Sequence, residues 1–325
     1  MRVVSNLVAK DISIMALGNR LRCPASLRLT CGLALVVVVV VGGTSAAEKS
    51  DAQRSAKPPE NAVKTEYLRV LHDNRDRAIS LDTAIVSFSS QAAGAGGVRV
   101  DLVAAVHIAD KKYYQELNKR FGDYDVVLYE LVAPEGTRIP QGGRKDKRAG
   151  NVLSAVQLGM KDLLNLEFQL DQVDYTRKNF VHADLSPDQF VKSMHDRNEG
   201  FTDIFARLLA YALVKQAKGS DDADIQLLTA LFDKNRALAL KRAMAEQFGE
   251  MEGMTAVLEG PKGSTLIGER NKRALDVLKK QIASGKKKIA VFYGAGHMVD
   301  MEKRLRADFS LKPTETKWVQ AWDMK

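Results

Sequence analysis

The chain has 325 residues, 45% hydrophobic and 27% charged, which supplies enough apolar material for one large core or one domain with an insertion. The formal charge is +9, but residues 1–47 carry five basic residues and one acidic, and the remainder holds 44 Lys/Arg against 39 Asp/Glu, or +5. A balance that mild, with no basic stripe interleaved with aromatics, excludes nucleic acid as the expected partner.

Residues 1–47 read as a signal peptide or an uncleaved anchor. Arg20, Arg22 and Arg28 precede the apolar run Cys31–Val41, and GGTSAA follows it. The run is shorter than the roughly 17 apolar residues a bilayer span normally needs, so cleavage near Ala46 or Ala47 is expected. The protein is then exported, periplasmic or secreted, with membrane association only through this segment. Both cysteines, Cys23 and Cys31, leave with it, which removes disulfides, thiol catalysis and cysteine metal ligation.

Residues 48–65 are polar, contain a Pro-Pro pair and predict a tether, with an α/β domain over 66–325. Leu81–Ser89 and Val98–Ile108 predict strands. Asp110 is placed to cap a helix through Phe121, on which Tyr114, Leu117 and Phe121 recur at helical spacing. Tyr124–Val132 predicts a third strand. Strand, helix and strand in that order, with nearly continuous apolar strands, predict a largely parallel sheet buried on both faces and flanked by helices. From about 151 to 254 the pattern is helical, broken by one short strand over 179–183, and Ser186-Pro-Asp-Gln189 has the elements of a capping box. Phe201–Lys218 is apolar but carries Asp203, Arg207 and Lys215, so it reads as a buried or groove-lining helix. A helix over 269–283, a strand over Lys288–Tyr293, the turn GAGH, a helix from Val299 and a strand near Lys317–Trp322 complete the chain. The expected fold is thus two strand-rich halves separated by a helical insertion.

His107 ends VDLVAAVH and His297 follows KIAVFYGAG, so each stands at the carboxyl end of a predicted parallel strand. That edge is where open α/β sheets bind ligands. Glu130 ends VVLYE on the same alternating face as Val126 and Leu128, and a carboxylate there needs a cation, a metal or hydrogen-bond donors. It either pairs with an arginine or faces the edge that holds the histidines. By residue pattern alone Glu269 and Arg270, in a first helical turn, read as surface. Asp184, in VHADLS, either closes a turn or reaches the cleft. No dinucleotide fingerprint, P-loop, HExxH or GxSxG is present in the sequence.

The set VDLVAAVHIADKKYYQELNKRFGDYDVVLYELV, NFVHADLS, ERNKRALDVL and IAVFYGAGHMVDMEKRL resembles the TraB/GumN family, related to the Tiki metalloproteases and to erythromycin-esterase-like and ChaN-like proteins. The resemblance covers roughly residues 98–308. Gly294 and Gly296 precede His297 in an intact Gly-x-x-His element, whereas Ala104 stands at the glycine position before His107. Glu130 falls on the family's strand glutamate, and Glu269 and Arg270 fall on its Glu-Arg pair, which turns the surface reading of those two into a site reading. The resemblance implies a metal-dependent hydrolase acting on a peptide or protein. His107 and His297 would be metal ligands, Glu130 ligand or general base, Arg270 an oxyanion stabiliser, and Glu269 an orienting group. Manganese is favoured, with cobalt, zinc or iron as alternatives. A haem- or peptide-binding protein using the same cleft, or an envelope pseudoenzyme, is the competing reading.

Overall fold

The computed structural model describes residues 65–90, 97–137, 139–140, 142, 164–217, 226, 229–248, 251–260 and 263–325. The leader expected at 1–47, the tether expected up to residue 64, and residues 151–163, 218–225, 227–228 and 249–250 of the expected insertion lie outside the described residues.

Apolar β-branched and aromatic runs become strands β1 (Leu68–His72), β2 (Ala78–Ser89) and β3 (Arg99–Ala105). A two-residue strand β4 (Ile108–Ala109) follows, then helix α1 (Lys111–Phe121) and strand β5 (Val126–Tyr129). The next stretch holds β6 (Glu167–Phe168), the short helix α2 (Gln169–Gln172) and β7 (Phe180–His182). Helices α3 (Pro187–Asp196), α4 (Phe201–Ala217), α5 (Arg236–Phe248) and α6 (Met251–Glu259) come after β7. A π-helical turn, Thr265–Glu269, leads into α7 (Arg270–Ala283), then β8 (Lys288–Gly294), a 3₁₀ turn over Ala295–His297, α8 (Met298–Asp308) and β9 (Lys312–Asp323).

Seven strands form one sheet. β3, β8, β5 and β7 run parallel in that spatial order, with Ala105 opposite Gly294 and Tyr129 opposite both Phe292 and His182. The connection β3–α1–β5 is the crossover that parallel strands require, and β8 slips between the two. β2 carries the antiparallel half: β1 and β3 take successive lengths of one of its edges, and β9 takes the other. The expectation of parallel strands therefore holds for the half that presents His107, Glu130 and His297. The last strand, by contrast, turns back antiparallel along β2. The strand expected at 179–183 belongs to this sheet, so the stretch between the strand-rich parts runs from β7 to β8.

Alternation along the strands divides the core. In β8, Ala290 and Phe292 pack with Tyr113, Leu117, Phe121 and Trp322, while Ile289, Val291 and Tyr293 pack with Leu275, Leu278, Met298 and Leu305. Each such large apolar side chain taken from water contributes about 1.5–3 kcal/mol. Two packed faces hold β8 rigid up to the residue where the turn begins. Among the described residues no helix is long and apolar enough to cross a membrane, and α4 lies against α6.

Candidate active site

Four strand ends meet at one edge. β3 delivers His107 two residues past Ala105, β5 delivers Glu130 one residue past Tyr129, β7 delivers Asp184 two residues past His182, and β8 delivers the turn that ends in His297. The fifth contributor is Arg270, which opens α7 after the π-helical turn.

Arg270 is the hub. Its Nη2 donates to Glu130 Oε1 and to Asp184 Oδ2, each at 2.6 Å, and its Nε donates to Asp184 Oδ1 at 3.0 Å. Its Nη1 is less engaged, 3.5 Å from the Leu266 carbonyl and 3.4 Å from His297 Nε2. Burial alone would lower the pKa of this guanidinium, but Asp184 and Glu130 outweigh that and hold it firmly charged. Both alternatives for Glu130 are thus realised together: it pairs with an arginine, and it faces the edge shared with the histidines.

Glu130 Oε2 accepts the Gly294 N–H at 2.7 Å. Burial would raise its pKa, yet the positive field of His297, Arg270 and His107, with that N–H, brings it down to about 2. His297 behaves in the opposite way: burial pushes its pKa down to about 4 against the pull of Glu130, so the imidazole is neutral near pH 7. Its Nδ1 lies 2.7 Å from Asn271 Oδ1, while Asn271 Nδ2 donates to the His297 carbonyl at 3.1 Å and to Asp300 Oδ2 at 2.8 Å. With both amide hydrogens engaged by oxygens, Asn271 Oδ1 must accept, so the proton sits on Nδ1 and the unprotonated Nε2 takes only the long contact from Arg270 Nη1. That Nε2 stands 3.6 Å from Glu130 Oε1.

His107 repeats the device from another part of the chain. Its Nδ1 lies 3.1 Å from Gln169 Oε1, and Gln169 Nε2 donates to the Tyr175 hydroxyl at 2.9 Å. The proton is again on Nδ1 and the bare Nε2 faces the glycine turn: a Cβ built on Gly294 would lie 3.5 Å from it and 3.3 Å from Glu130 Oε2. His107 is exposed, whereas His297 and Asp184 are buried. Tyr293 OH donates to the Ala183 carbonyl at 2.5 Å and ties the end of β8 to the end of β7.

The structure thus gathers His107, Glu130, Asp184, Arg270, Gly294 and His297. Gly296 serves packing, since a Cβ there would meet Thr255 Oγ1 at 3.1 Å. Glu269 is not brought into the cluster; its partners are Arg197 Nη1 at 3.1 Å and Lys272 Nζ at 2.7 Å, so it fastens the π-helical turn to the segment after α3. Ala104 is buried in β3 beside Tyr293, and its carbonyl accepts the Tyr113 hydroxyl at 3.2 Å. Three contributors escaped the sequence reading: Asn271, whose signal was its place beside Arg270 in ERN, and Gln169 and Tyr175, which carried none.

Two imidazoles with unprotonated Nε2 atoms, each fixed by a side-chain amide, and one ionised carboxylate are a donor set suited to a divalent first-row metal. Among the described residues no group of three or more His, Cys, Asp or Glu is gathered to hold a metal ion. The guanidinium of Arg270 holds the carboxylates of Glu130 and Asp184 on itself. Comparison of the chain with protein families, with curated proteins and with solved structures returns no match.

Proposed function

We propose that the protein is an exported metal-dependent hydrolase, a peptidase of the kind the TraB/GumN resemblance implies, working at the carboxyl edge of the parallel strands. The observation that carries this reading is the pair of imidazoles, His107 and His297, with Nε2 left unprotonated by the amide partners on Nδ1, beside a carboxylate kept ionised by a largely buried arginine. His107, His297 and Glu130 would hold a divalent metal, manganese favoured and cobalt, zinc or iron as alternatives, which when bound would supply a Lewis acid.

The remaining work falls to the chain's own groups. The carboxylate of Glu130 is held by Arg270 and by the Gly294 N–H, which assigns it to ligation and charge rather than to proton abstraction. Asn271 and Gln169 fix the ring orientation and tautomer of the two histidines. Both Arg270 Nη1 contacts are long, so Nη1 would turn an N–H from one of them to negative charge developing on a substrate carbonyl oxygen, and a donor aimed at that charge contributes about 3 kcal/mol. We read the stretch from β7 to β8 as the helical insertion between two strand-rich halves, bordering the cleft that receives the peptide. Export, and any membrane association, would belong to residues 1–47.

The test is metal content by elemental analysis of the purified protein beside His107→Ala and His297→Ala, followed by a peptide-library digest. Manganese, cobalt, zinc or iron at about one per chain, lost in both variants, together with cleavage that follows the metal, is the expected result. A protein that takes up none of these metals overturns the metal reading, and a Soret band would turn the site towards haem. A library left intact by the metal-loaded protein would refute the hydrolase.

A further inference from the structure

Among the described residues one buried side-chain polar atom lacks a hydrogen-bond partner: Nε of Arg273. Buried polar groups in folded proteins are paired almost without exception, and an unpaired one costs about 1–3 kcal/mol. Its surroundings show what it awaits. Arg273 lies three residues after Arg270 on α7, so the two side chains are neighbours on one helix face. It lines a cavity of about 340 Å³, bounded by His182 at the end of β7, by Asp184 beyond it, by Glu135 beyond β5 and by Asp188 at the start of α3. The cavity sits at the same sheet edge as the candidate active site, and Asp184 borders both.

Asp184, Ser186, Gln189 and His182 are engaged elsewhere. Asp184 Oδ1 takes Arg270 Nε and the Leu185 N–H, and Oδ2 takes Arg270 Nη2. Ser186 and Gln189 close on one another in the capping box. His182 donates Nε2–H to the Leu131 carbonyl at 2.6 Å. Glu135 and Asp188 are exposed on the rim, and Asp188 faces the positive end of the α3 dipole. The guanidinium of an arginine that lines a cavity is a planar fork that a carboxylate takes with two parallel hydrogen bonds. The rim acids and Asp184 weigh more heavily against a dianion such as phosphate than against a singly charged carboxylate.

We propose that Arg273 and this cavity form a carboxylate subsite for the substrate of the adjacent hydrolytic centre, so that the peptide cleaved is one with a carboxylate close to the scissile bond. The substrate class rests on the hydrolase reading; the subsite itself does not. Neighbouring helix positions lie about 5–6 Å apart at Cβ. An extended peptide advances about 3.3–3.6 Å per residue, which places the carboxylate within about two or three residues of the bond that is cut.

Two measurements test this separately. In ¹⁵N-labelled protein the Arg273 Nε–H cross-peak, assigned by its loss in Arg273→Lys, should shift saturably with N-acetylglycine or with N-acetylglutamate amide and much less with inorganic phosphate. The first probe mimics a peptide C-terminus and the second an acidic side chain, so the stronger response names the source. In the digest, the matching peptide should be cleaved roughly tenfold better than its amide, a ratio that falls towards one in Arg273→Gln while the melting temperature stays within a few degrees. An unmoved cross-peak and an acid-to-amide ratio of one in the parent protein, with hydrolysis intact, overturn the subsite alone. A shifting cross-peak in a protein that cleaves no peptide keeps the subsite and refutes the hydrolase.

Discussion

Gly294 meets two requirements that no larger residue meets at once. Its N–H binds Glu130 Oε2, and the space a Cβ would fill lies between that oxygen at 3.3 Å and His107 Nε2 at 3.5 Å. Its φ of −53° is ordinary, so the demand is for close approach and not for a left-handed backbone. Because Glu130 is pinned from the other side by Arg270, it has little room to withdraw. Gly294→Ala should lower stability by about 1–3 kcal/mol through overpacking and should reduce hydrolysis more than the fold. Urea unfolding alongside a cleavage assay checks this, and a variant with parental stability and activity would mean that Glu130 gives way. At this scale the sequence exposed what lies at strand ends. His107, Glu130 and His297 were legible because a charged or polar residue closing an apolar run has few reasons to be there. The locks on the two imidazoles were not, since Gln169 reaches His107 from 62 positions away through a two-residue ladder, β4 with β6, too short to leave a pattern.

The π-helical turn is the element that aims Arg270, and nothing in TLIGE announces it. Ser264 caps it by accepting the Ile267 N–H at 3.2 Å, and Glu259 accepts the Ser264 hydroxyl at 3.0 Å and the Gly268 N–H at 3.1 Å. Glu199 accepts the Thr265 N–H at 2.8 Å, so α6 and the segment after α3 hold the turn from two sides. An inserted residue in a helix is a local irregularity that proteins retain mostly at functional sites. A Cβ on Gly268 would stand 2.6 Å from Glu259 Oε1. Gly268→Ala should therefore displace the Glu259 carboxylate, loosen the turn and lower kcat/KM at least as much as Arg270→Lys does, with the far-ultraviolet circular dichroism unchanged. Cleavage kinetics on both variants decide it, and parental kcat/KM in Gly268→Ala would show that the turn does not set Arg270. The regular elements were easier to read. α1, α3, α7 and β8 follow their periodicity to within two residues, and the Ser186 capping box forms as the sequence indicates. β1 escaped because LRVLH is short and half-exposed, and β9 runs longer than expected because its first half, KPTETK, is polar on an open edge.

At the scale of the whole molecule the site sets how the protein answers to acid. The antiparallel half of the sheet anchors β3 through β2, and the parallel half closes around a buried neutral imidazole and a largely buried ionised carboxylate. An unfolded histidine binds its proton near 6.5, whereas His297 in the fold does so only near 4, so between those values the unfolded chain holds the extra proton. The stability that His297 contributes is complete above pH 6.5 and is lost as pH falls to 4, on the order of 3 kcal/mol in all. Glu130 has the same sign, an ordinary carboxyl near 4.5 against about 2 in the fold, so its share is lost between pH 4.5 and 2. Glu259 opposes them weakly, because burial raises its pKa and folding gains from its protonation. Unfolding free energy measured in urea should accordingly fall from pH 6.5 downward in two overlapping steps. His297→Asn keeps a side-chain amide to donate to Asn271 but carries no titrating ring, so its curve should be flatter over the upper step and shallower over the lower one as well, because the protonated ring no longer helps to hold Glu130 down. If parent and variant decline together from pH 6.5 to 4, the imidazole is not the group that titrates, and the tautomer assigned through Asn271 would have to be revised with it.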